Sequence, residues 1–358
     1  MTEQFRQLVQ ISLGLRDRFD TAPSETEWHN IYAEAEKQTM TGVLFTGIDR
    51  LPEGQTPPFK VRGRFAMMTW QIADKTVLAS RRAEEATRFF ADHGRRSYVL
   101  KGPAVARLYE FPERRQSGDL DIWVEGSTES TIELLRQHFT VDDVVYHHVD
   151  VKMFEDVATE IHFHPTWMNS YPANKKLQRY FESAAPWKDQ PETGFNVPSE
   201  EFDLVFSLVH IFRHLFYEGV GLRQLIDYYQ ILRHSSEEER RSAMKVIDEL
   251  HLRKFAAALM WVMRDWLGYR GALLTDPDPK AGQALMAQAL AGGNFGKFDK
   301  TNRHPAGEGL APRLRRNFHR KMGLLLTYPR EVLWAPVFKT WQYIWRRRHK
   351  GYVVYLGA

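Results

Sequence analysis

The chain contains no cysteine, which excludes disulfide bonds and metal sites built on thiolates. That absence is typical of proteins from a reducing compartment. The sequence also has no apolar run near the roughly 18 to 20 residues that a membrane-spanning helix needs. The N-terminal segment places acidic residues ahead of its apolar ones and has no continuous apolar stretch, so a secretory signal is not expected. Together these absences predict a soluble, cytoplasmic protein without a membrane span.

Positive charge is concentrated at the C-terminal end of the chain. The 358 residues have a net charge of +4, and 43% of them are apolar, which is ordinary for a globular protein. The segment from Ala311 to Ala358 contains eleven Lys or Arg residues and one acidic residue, so its net charge is +10. The rest of the chain therefore has a net charge of −6. Cations interleaved with Trp and Tyr suit a nucleic acid or an anionic surface. We favour instead a helical appendage that packs its aromatic side chains on the body.

The periodicity of apolar residues predicts an α+β protein that is predominantly helical, with a small mixed sheet flanked by N- and C-terminal helical regions. Apolar residues recur at three- and four-residue spacing through residues 1–95, the N-terminal helical region. Strand and helix patterns then alternate, and we place a core domain at 96–198. A C-terminal helical region follows at 199–310, and the basic aromatic tail, on an interrupted helix, at 311–358. The length fits two or three structural units.

Two carboxylates lie two residues apart on a strand-like apolar segment. Asp119 and Asp121 alternate with Leu120, Ile122 and Val124, so in a strand the acids share one face and the apolar side chains point to a core. Neighbouring carboxylates repel each other unless a cation or a proton lies between them. A hard divalent cation with oxygen ligands resolves this repulsion, magnesium in the first place and manganese in the second. Asp119 and Asp121 are therefore candidate metal ligands.

A third acid lies on a later strand pattern. Alternation places Glu160 on one face of that strand together with His162 and His164. If this strand lies beside the first, Glu160 completes a cluster of three carboxylates that can hold magnesium against a triphosphate and help to activate an attacking oxygen. Such a cluster predicts transfer of a phosphoryl or nucleotidyl group.

Groups that could bind phosphates precede these acids in the sequence. Lys101 and Gly102 end an earlier apolar strand pattern, and Pro103 suits the first position of a helix. A turn of this kind offers backbone N–H groups to phosphate oxygens. Lys101 would neutralise phosphate as a point charge, and Arg115 would do so as a bidentate donor.

This order of motifs resembles the polymerase-β-type nucleotidyltransferase superfamily, with a Gly-containing turn, an Asp-x-Asp strand and a later single acid. More narrowly, the chain is similar, over about residues 95–350, to a bacterial family of uncharacterised nucleotidyltransferases. The motifs that carry this resemblance are Leu100-Lys101-Gly102, Arg115-x-x-Gly118-Asp119-x-Asp121, Glu160-Ile161-His162, His210-x-x-x-His214, Gly221-Leu222-Arg223-x-x-x-Asp227 and Gly293-Asn294-Phe295-Gly296.

The resemblance implies a mixed α/β nucleotidyltransferase core, magnesium, a nucleoside triphosphate as donor, and a catalytic triad of Asp119, Asp121 and Glu160. The positions that it suggests for donor or cofactor binding are Lys101, Gly102, Arg115, Gly118, His162 and Arg223. The turn reads Lys-Gly-Pro where the superfamily usually has Gly-Ser, so the serine contact to phosphate is not carried over. The acceptor, whether a small molecule, a protein or an RNA, is not supplied by the resemblance.

Two other functions fit the same core. Glu160, His162 and His164, with one of the aspartates, could ligate zinc, iron or manganese in a metal-dependent phosphohydrolase. The other alternative is a non-catalytic nucleotide-binding or regulatory module that keeps the fold without turnover.

Two spacings on the later helices leave alternatives open. His210 and His214 lie one helical turn apart, which fits a metal pair, but no HExxH glutamate accompanies them. We expect a packing or hydrogen-bonding role for both. Arg223 and Asp227 have the spacing of a surface ion pair, and Arg223 is also a candidate phosphate ligand.

Overall fold

Most residues of the protein are helical, and one mixed sheet of five strands lies in the middle of the chain. The computed structural model describes residues 2–183, 187–188, 194–298 and 323–354. The predicted α+β class, predominantly helical with a small mixed sheet, is confirmed. The first part of the basic tail, residues 311–322, lies outside the described residues.

Serine side chains begin several of the helices. Ser24, Ser127, Ser199 and Ser236 each accept a hydrogen bond from the backbone N–H three residues on, which satisfies a donor that the first helical turn leaves unpaired. Numbered in chain order, the helices are α1 (Glu3–Ser12), α2 (Glu25–Lys37), α3 (Thr41–Arg50), α4 (Phe59–Asp92), α5 (Pro103–Ala106), α6 (Thr128–His138), α7 (Tyr171–Ser183), α8 (Glu200–Phe216), α9 (Leu222–His234), α10 (Glu237–Glu249), α11 (Arg253–Trp261), α12 (Pro279–Gly292) and α13 (Pro329–Val354).

The five-stranded sheet has the order β1-β2-β5-β4-β3, so its two central strands are far apart in sequence. β2 and β5 run parallel, and the other neighbouring pairs run antiparallel. β4 and β5, which follow each other in the chain, form one of these antiparallel pairs. The strands are β1 (Ser97–Val99), β2 (Leu120–Val124), β3 (Thr140–Val141), β4 (His148–Lys152) and β5 (Thr159–His162), with a separate two-stranded pair of β6 (Trp187–Lys188) and β7 (Val197–Pro198).

The sheet has helices on both faces, because alternate residues of its strands are buried in different cores. Leu120 and Ile122 of β2 pack in one core with Phe90 of α4 and Ile132 of α6. On the opposite face the Trp123 ring lies parallel to Phe202 of α8, with centroids 5.7 Å apart. Polar residues on this second face therefore lie between the sheet and the C-terminal helices.

The tail helix α13 packs some of its aromatic side chains against the body, as we expected, while Tyr343 stays exposed. Phe338 and Trp341 contact the Tyr146 ring edge-on, at centroid distances of 5.9 and 5.0 Å. The tail helix is interrupted as predicted, since a short helical stretch at 323–325 is separated by the non-helical residues 326–328 from α13, which itself continues through Pro336. Among the described residues, no helix is both long enough and apolar enough to cross a bilayer.

Helix α3 approaches the loop that leads into β2 closely, and this contact gives a testable prediction. A Cβ atom added at Gly42 would overlap with the backbone carbonyl of Arg114, so Gly42→Ala forces the helix or the loop to shift. We expect a loss of about 1–3 kcal/mol in the free energy of unfolding, measured by urea denaturation. Gly63→Ala on α4 is the matched control, since its added Cβ meets nothing within 4 Å. A Gly42→Ala variant as stable as Gly63→Ala would contradict this packing.

Candidate active site

The register of the two central strands brings the predicted acids together. β2 and β5 are parallel neighbours, and Asp121 lies directly opposite Glu160. Both project from the face that is turned away from the core of Leu120 and Ile122. Asp119 lies one residue before β2 begins. The alternation of acids and apolar residues thus produces the shared face that the sequence predicts.

Three carboxylates lie within reach of one ion. One oxygen each from Asp119, Asp121 and Glu160 lies within 4.8 Å of the others. Asp121 is the most enclosed, with a side chain only 1% exposed, and its Oδ2 is buried without a hydrogen-bond partner. A buried oxygen of this kind costs free energy unless a ligand or water satisfies it. The donor set, made only of carboxylate oxygens, fits a hard divalent cation.

Lys101 and His162 lie beside these carboxylates and hydrogen-bond to them. Lys101 Nζ lies 2.8 Å from Asp121 Oδ1, and His162 Nε2 lies 3.0 Å from the same oxygen and 3.3 Å from Glu160 Oε2. Burial raises the pKa of Asp121. The charge of Lys101 and the hydrogen bond from His162 lower it by more than burial raises it, so the pKa of Asp121 falls below its usual value. Burial lowers the pKa of His162, and its hydrogen bonds to Asp121 and Glu160 raise it above the ordinary value. These shifts favour the ionised form of Asp121 and the protonated form of His162.

Asp119 behaves differently from Asp121. The negative charge of Asp121 raises the pKa of Asp119, burial raises it further, and Lys101 opposes both. Two carboxylates that share a site show this pattern, because the second charge is harder to form next to the first. A divalent cation would relieve the same repulsion, so the electrostatics agree with the carboxylate geometry.

A second group of possible metal ligands shares Glu160 and His162. His148 Nε2 on β4 lies 3.8 Å from Glu160 Oε2, and His148, Glu160 and His162 each offer a ligand atom within 4.8 Å of the others. Burial lowers the pKa of His148 to about 4, which keeps its imidazole neutral, as a metal ligand must be. His164, the residue that we expected in such a group, has its ring 4.7 Å from Tyr146 instead. Among the residues that the structure describes, the metal-capable groups contain His148 and not His164.

The Gly102 turn leads from β1 into α5 next to the acids. Gly102 has φ +61° and ψ −115°, a backbone conformation that a side chain would disfavour, and Pro103 is the first residue of α5 as predicted. Gly102 lines the same pocket as Lys101, Asp119 and Asp121. The turn therefore lies where a phosphate chain bound at the carboxylates would pass.

A pocket of about 580 Å³, open to solvent, extends from the carboxylates to helices α8 and α9. The side towards the sheet is polar and charged, whereas Phe206 and Ile211 of α8 and Phe295 after α12 make the far side partly apolar. The full set of lining residues is Lys101, Gly102, Val105, Arg115, Gly118, Asp119, Asp121, Phe206, Ser207, His210, Ile211, Arg223, Gln224, Asp227 and Phe295.

The sequence model of a family described as uncharacterised nucleotidyltransferases matches residues 24–268, more than half of the chain. The chain belongs to this family. A search among curated proteins gave no match. The match covers the sheet, the three carboxylates and helices α8 and α9, so membership supports a nucleotidyl transfer role and a nucleotide as substrate.

The carboxylate of Asp227 holds the guanidinium group of Arg115. Its Nε donates to Asp227 Oδ1 at 3.0 Å and its Nη2 to Oδ2 at 2.7 Å, while the Tyr109 hydroxyl donates to Oδ1 at 2.7 Å. Arg223 donates from Nη1 to the carbonyl of Gln116 at 2.8 Å. We considered a surface ion pair between Arg223 and Asp227. In the described residues Asp227 instead forms a buried ion pair with Arg115. The phosphate roles of Arg115 and Arg223 stay predictions.

Some pocket residues gave no usable signal in the sequence. Phe206 reads as an ordinary core residue of α8, and Gln224 as a polar residue near the start of α9. Phe295 lies in a motif that we noted only for its resemblance, and its φ of +53° turns the chain there. His148 could have been found by aligning the alternation of β4 with that of β5, which places His148 opposite His162.

Proposed function

We propose that this protein is a magnesium-dependent nucleotidyltransferase that moves a nucleoside monophosphate from a nucleoside triphosphate to an acceptor, with pyrophosphate as the leaving group. The observation that carries the proposal is the convergence of Asp119, Asp121 and Glu160 from β2 and β5, with a buried oxygen of Asp121 left unpartnered. Family membership gives the reaction class, and the carboxylates supply the ligands that such a reaction needs.

The roles of the residues follow from their positions. Asp119, Asp121 and Glu160 would hold magnesium, or manganese, with oxygen ligands. The bound cation would neutralise triphosphate charge and lower the pKa of an attacking hydroxyl. Lys101 lies between the acids and the Gly102 turn, where it can exchange part of its contact with Asp121 for a donor phosphate.

The remaining donor-binding assignments rest on the pocket lining, apart from His162, which is assigned from its contacts with the acids. Gly102 and Gly118 would let backbone N–H groups approach the phosphates, and His162 would hold Asp121 and Glu160 in place. Arg115 and Arg223 would supply positive potential from the opposite wall, Arg115 while still paired with Asp227.

The lack of cysteine fits a cytoplasmic setting, and the basic tail remains a candidate surface for nucleic acid or another polyanion.

One observation favours a second candidate. The group of His148, Glu160 and His162 has the nitrogen and oxygen ligands that zinc, iron or manganese accepts. A metal-dependent phosphohydrolase would use such a group. Metal analysis of the protein as purified separates the two candidates, since retained zinc or iron favours hydrolysis.

Labelled triphosphates test the proposed reaction directly. ATP, GTP, CTP and UTP, each labelled on the α- or the γ-phosphate, are incubated with the protein, magnesium and cell extract as a source of acceptors. We expect the α-label in a new product and the γ-label in pyrophosphate. Release of labelled orthophosphate would support the phosphohydrolase instead. Binding of triphosphate without any product would contradict both and leave the nucleotide-binding module.

A further inference from the structure

Helix α8 and the turn after it carry three polar residues in a row that ends at the pocket. His210 Nε2 and His214 Nε2 lie 2.8 Å apart, and His214 Nδ1 lies 2.8 Å from Glu218 Oε2. Both histidines are buried, with 8% and 5% of their surface exposed. His210 lines the pocket that also contains Asp119 and Asp121. The row therefore connects a carboxylate near the surface with the space beside the proposed metal ligands.

The hydrogen bonds in this row fix where the protons lie. Burial raises the pKa of Glu218, but the hydrogen bond from His214 and neighbouring positive charge lower it more, so Glu218 is a carboxylate at neutral pH. An ionised carboxylate only accepts hydrogen bonds, so His214 must carry its proton on Nδ1. Burial lowers the pKa of His214 to about 4, so this ring is neutral and its Nε2 is an acceptor. His210 must then donate from Nε2.

That assignment leaves Nδ1 of His210 as a lone-pair acceptor. Burial lowers the pKa of His210 well below its ordinary value, and the charge of Lys101 adds to this, so the ring carries one proton only. Among the described residues no group hydrogen-bonds to Nδ1 of His210. Phe206 stacks on the ring at 5.6 Å, which limits its rotation. A neutral, oriented base with a free nitrogen thus lines the pocket.

The geometry agrees with the hydrogen-bonding role that we expected for His210 and His214, but not with a metal pair. A metal bound between the two histidines would need lone pairs from both rings, but their Nε2 atoms are joined by a hydrogen bond. A purely packing role does not explain the ordered row, since buried polar groups cost free energy unless each is satisfied. The arrangement resembles a base held by a second and a third group, which fixes both its tautomer and its orientation.

We propose that His210 accepts the proton of the acceptor substrate, and that this acceptor is an alcohol. The inference rests on the proposed nucleotidyl transfer. The hydroxyl oxygen forms a bond to the α-phosphorus, the bond from that phosphorus to the β-bridging oxygen breaks, and pyrophosphate leaves with the electron pair. The hydroxyl proton moves to His210 Nδ1. Glu218, acting through His214, stabilises the resulting imidazolium, so both are positioning residues.

The lone pair on His210 Nδ1 favours a hydroxyl acceptor over a phosphate acceptor. A hydroxyl brings the proton that His210 Nδ1 can accept, whereas a phosphate dianion brings none and would be repelled by the lone pair. Next to His210 the pocket offers the apolar side chains of Phe206 and Ile211, with Ser207 and Gln224 nearby. We therefore expect an alcohol with an apolar part next to its hydroxyl group.

The tautomer is the first test, and it needs no substrate. In protein labelled with ¹⁵N-histidine, the two ring nitrogens of a neutral histidine have distinct chemical shifts, and a His210→Asn variant assigns the signal. We expect the proton of His210 on Nε2, and this preference should weaken in Glu218→Gln, which removes the charge and keeps the size. A proton on Nδ1 of His210 in the unaltered protein would overturn the inference.

Transfer is the second test, with 2-phenylethanol, an alcohol with an apolar part near its hydroxyl group, as the probe alongside cell extract. His210→Ala should lower α-label transfer by about a hundredfold to ten-thousandfold, with affinity for a non-hydrolysable triphosphate unchanged. Added imidazole should restore part of the rate in His210→Ala. His234→Ala is the control, because His234 caps its own helix through the Gln230 carbonyl and does not line this pocket.

The outcomes separate this inference from the proposal on which it rests. A wild-type protein that transfers no label to any acceptor counts against nucleotidyl transfer and, with it, against the role of His210. A His210→Ala protein that transfers label at the wild-type rate overturns only the role of His210. Loss of transfer together with loss of triphosphate binding would mean that His210 shapes the donor site, which also overturns the inference.

Discussion

Replacing Asp121 with asparagine is expected to lower nucleotidyl transfer by on the order of a thousandfold, which corresponds to about 4 kcal/mol of transition-state stabilisation. Asp121 is the most buried of the three acids, and the unpartnered oxygen belongs to it. Asparagine keeps the size of the side chain but replaces one carboxylate oxygen by an amide nitrogen, which cannot ligate a hard cation. The measurement is the rate of α-label transfer at saturating triphosphate and magnesium.

The fold should survive this change. The asparagine side chain can still accept hydrogen bonds from Lys101 and His162 through its remaining oxygen, so circular dichroism should show the wild-type helix content. Titration with manganese, followed by paramagnetic resonance, should show weakened ion binding in Asp121→Asn. Asp276→Asn is the matched control, since Asp276 is exposed and lies in the loop before α12. Equal transfer by the two variants would remove Asp121 from the site.

Local patterns in the sequence predicted the sheet side of this site well. The alternation of acids with Leu120 and Ile122 fixes which face of β2 is buried, because side chains on a strand alternate strictly. The same rule places Glu160 and His162 on one face of β5. Only the pairing of β2 with β5 had to be assumed, and the parallel register with Asp121 opposite Glu160 supplies it.

The residues that face the sheet from the helices could not be predicted in the same way. Arg115 looks like a phosphate ligand in the sequence, but its guanidinium group meets the carboxylate of Asp227, 112 residues later. Nothing local to either residue indicates this partner, since long-range pairing depends on how α9 docks on the loop before β2. The acceptor nitrogen of His210 could not be predicted from the sequence either. Its assignment depends on the hydrogen bonds to His214 and Glu218, which residue spacing alone does not reveal.

The pair of Arg115 and Asp227 leads to the second large expected effect. Asp227→Ala should reduce the free energy of unfolding by about 3–5 kcal/mol, measured by urea denaturation, because it leaves a buried guanidinium group without its partner. The side chains of Arg115 and Asp227 are only 5% and 14% exposed, and the change also removes the acceptor of the Tyr109 hydroxyl. The pair joins α9 to the loop before Asp119, so transfer should fall as well.

Two further variants show whether burial of the unpaired charge is the cause. Asp248 and Arg253 form a similar two-bonded pair at the surface, with side chains 37% and 61% exposed, so Asp248→Ala should cost only about 0–1 kcal/mol. The double change Arg115→Met with Asp227→Leu should recover much of the stability lost in Asp227→Ala, since it removes both charges and keeps the volume filled. If Asp227→Ala and Asp248→Ala cost the same, or the double variant is no more stable than Asp227→Ala, the buried pair does not hold α9 to the loop that carries Asp119.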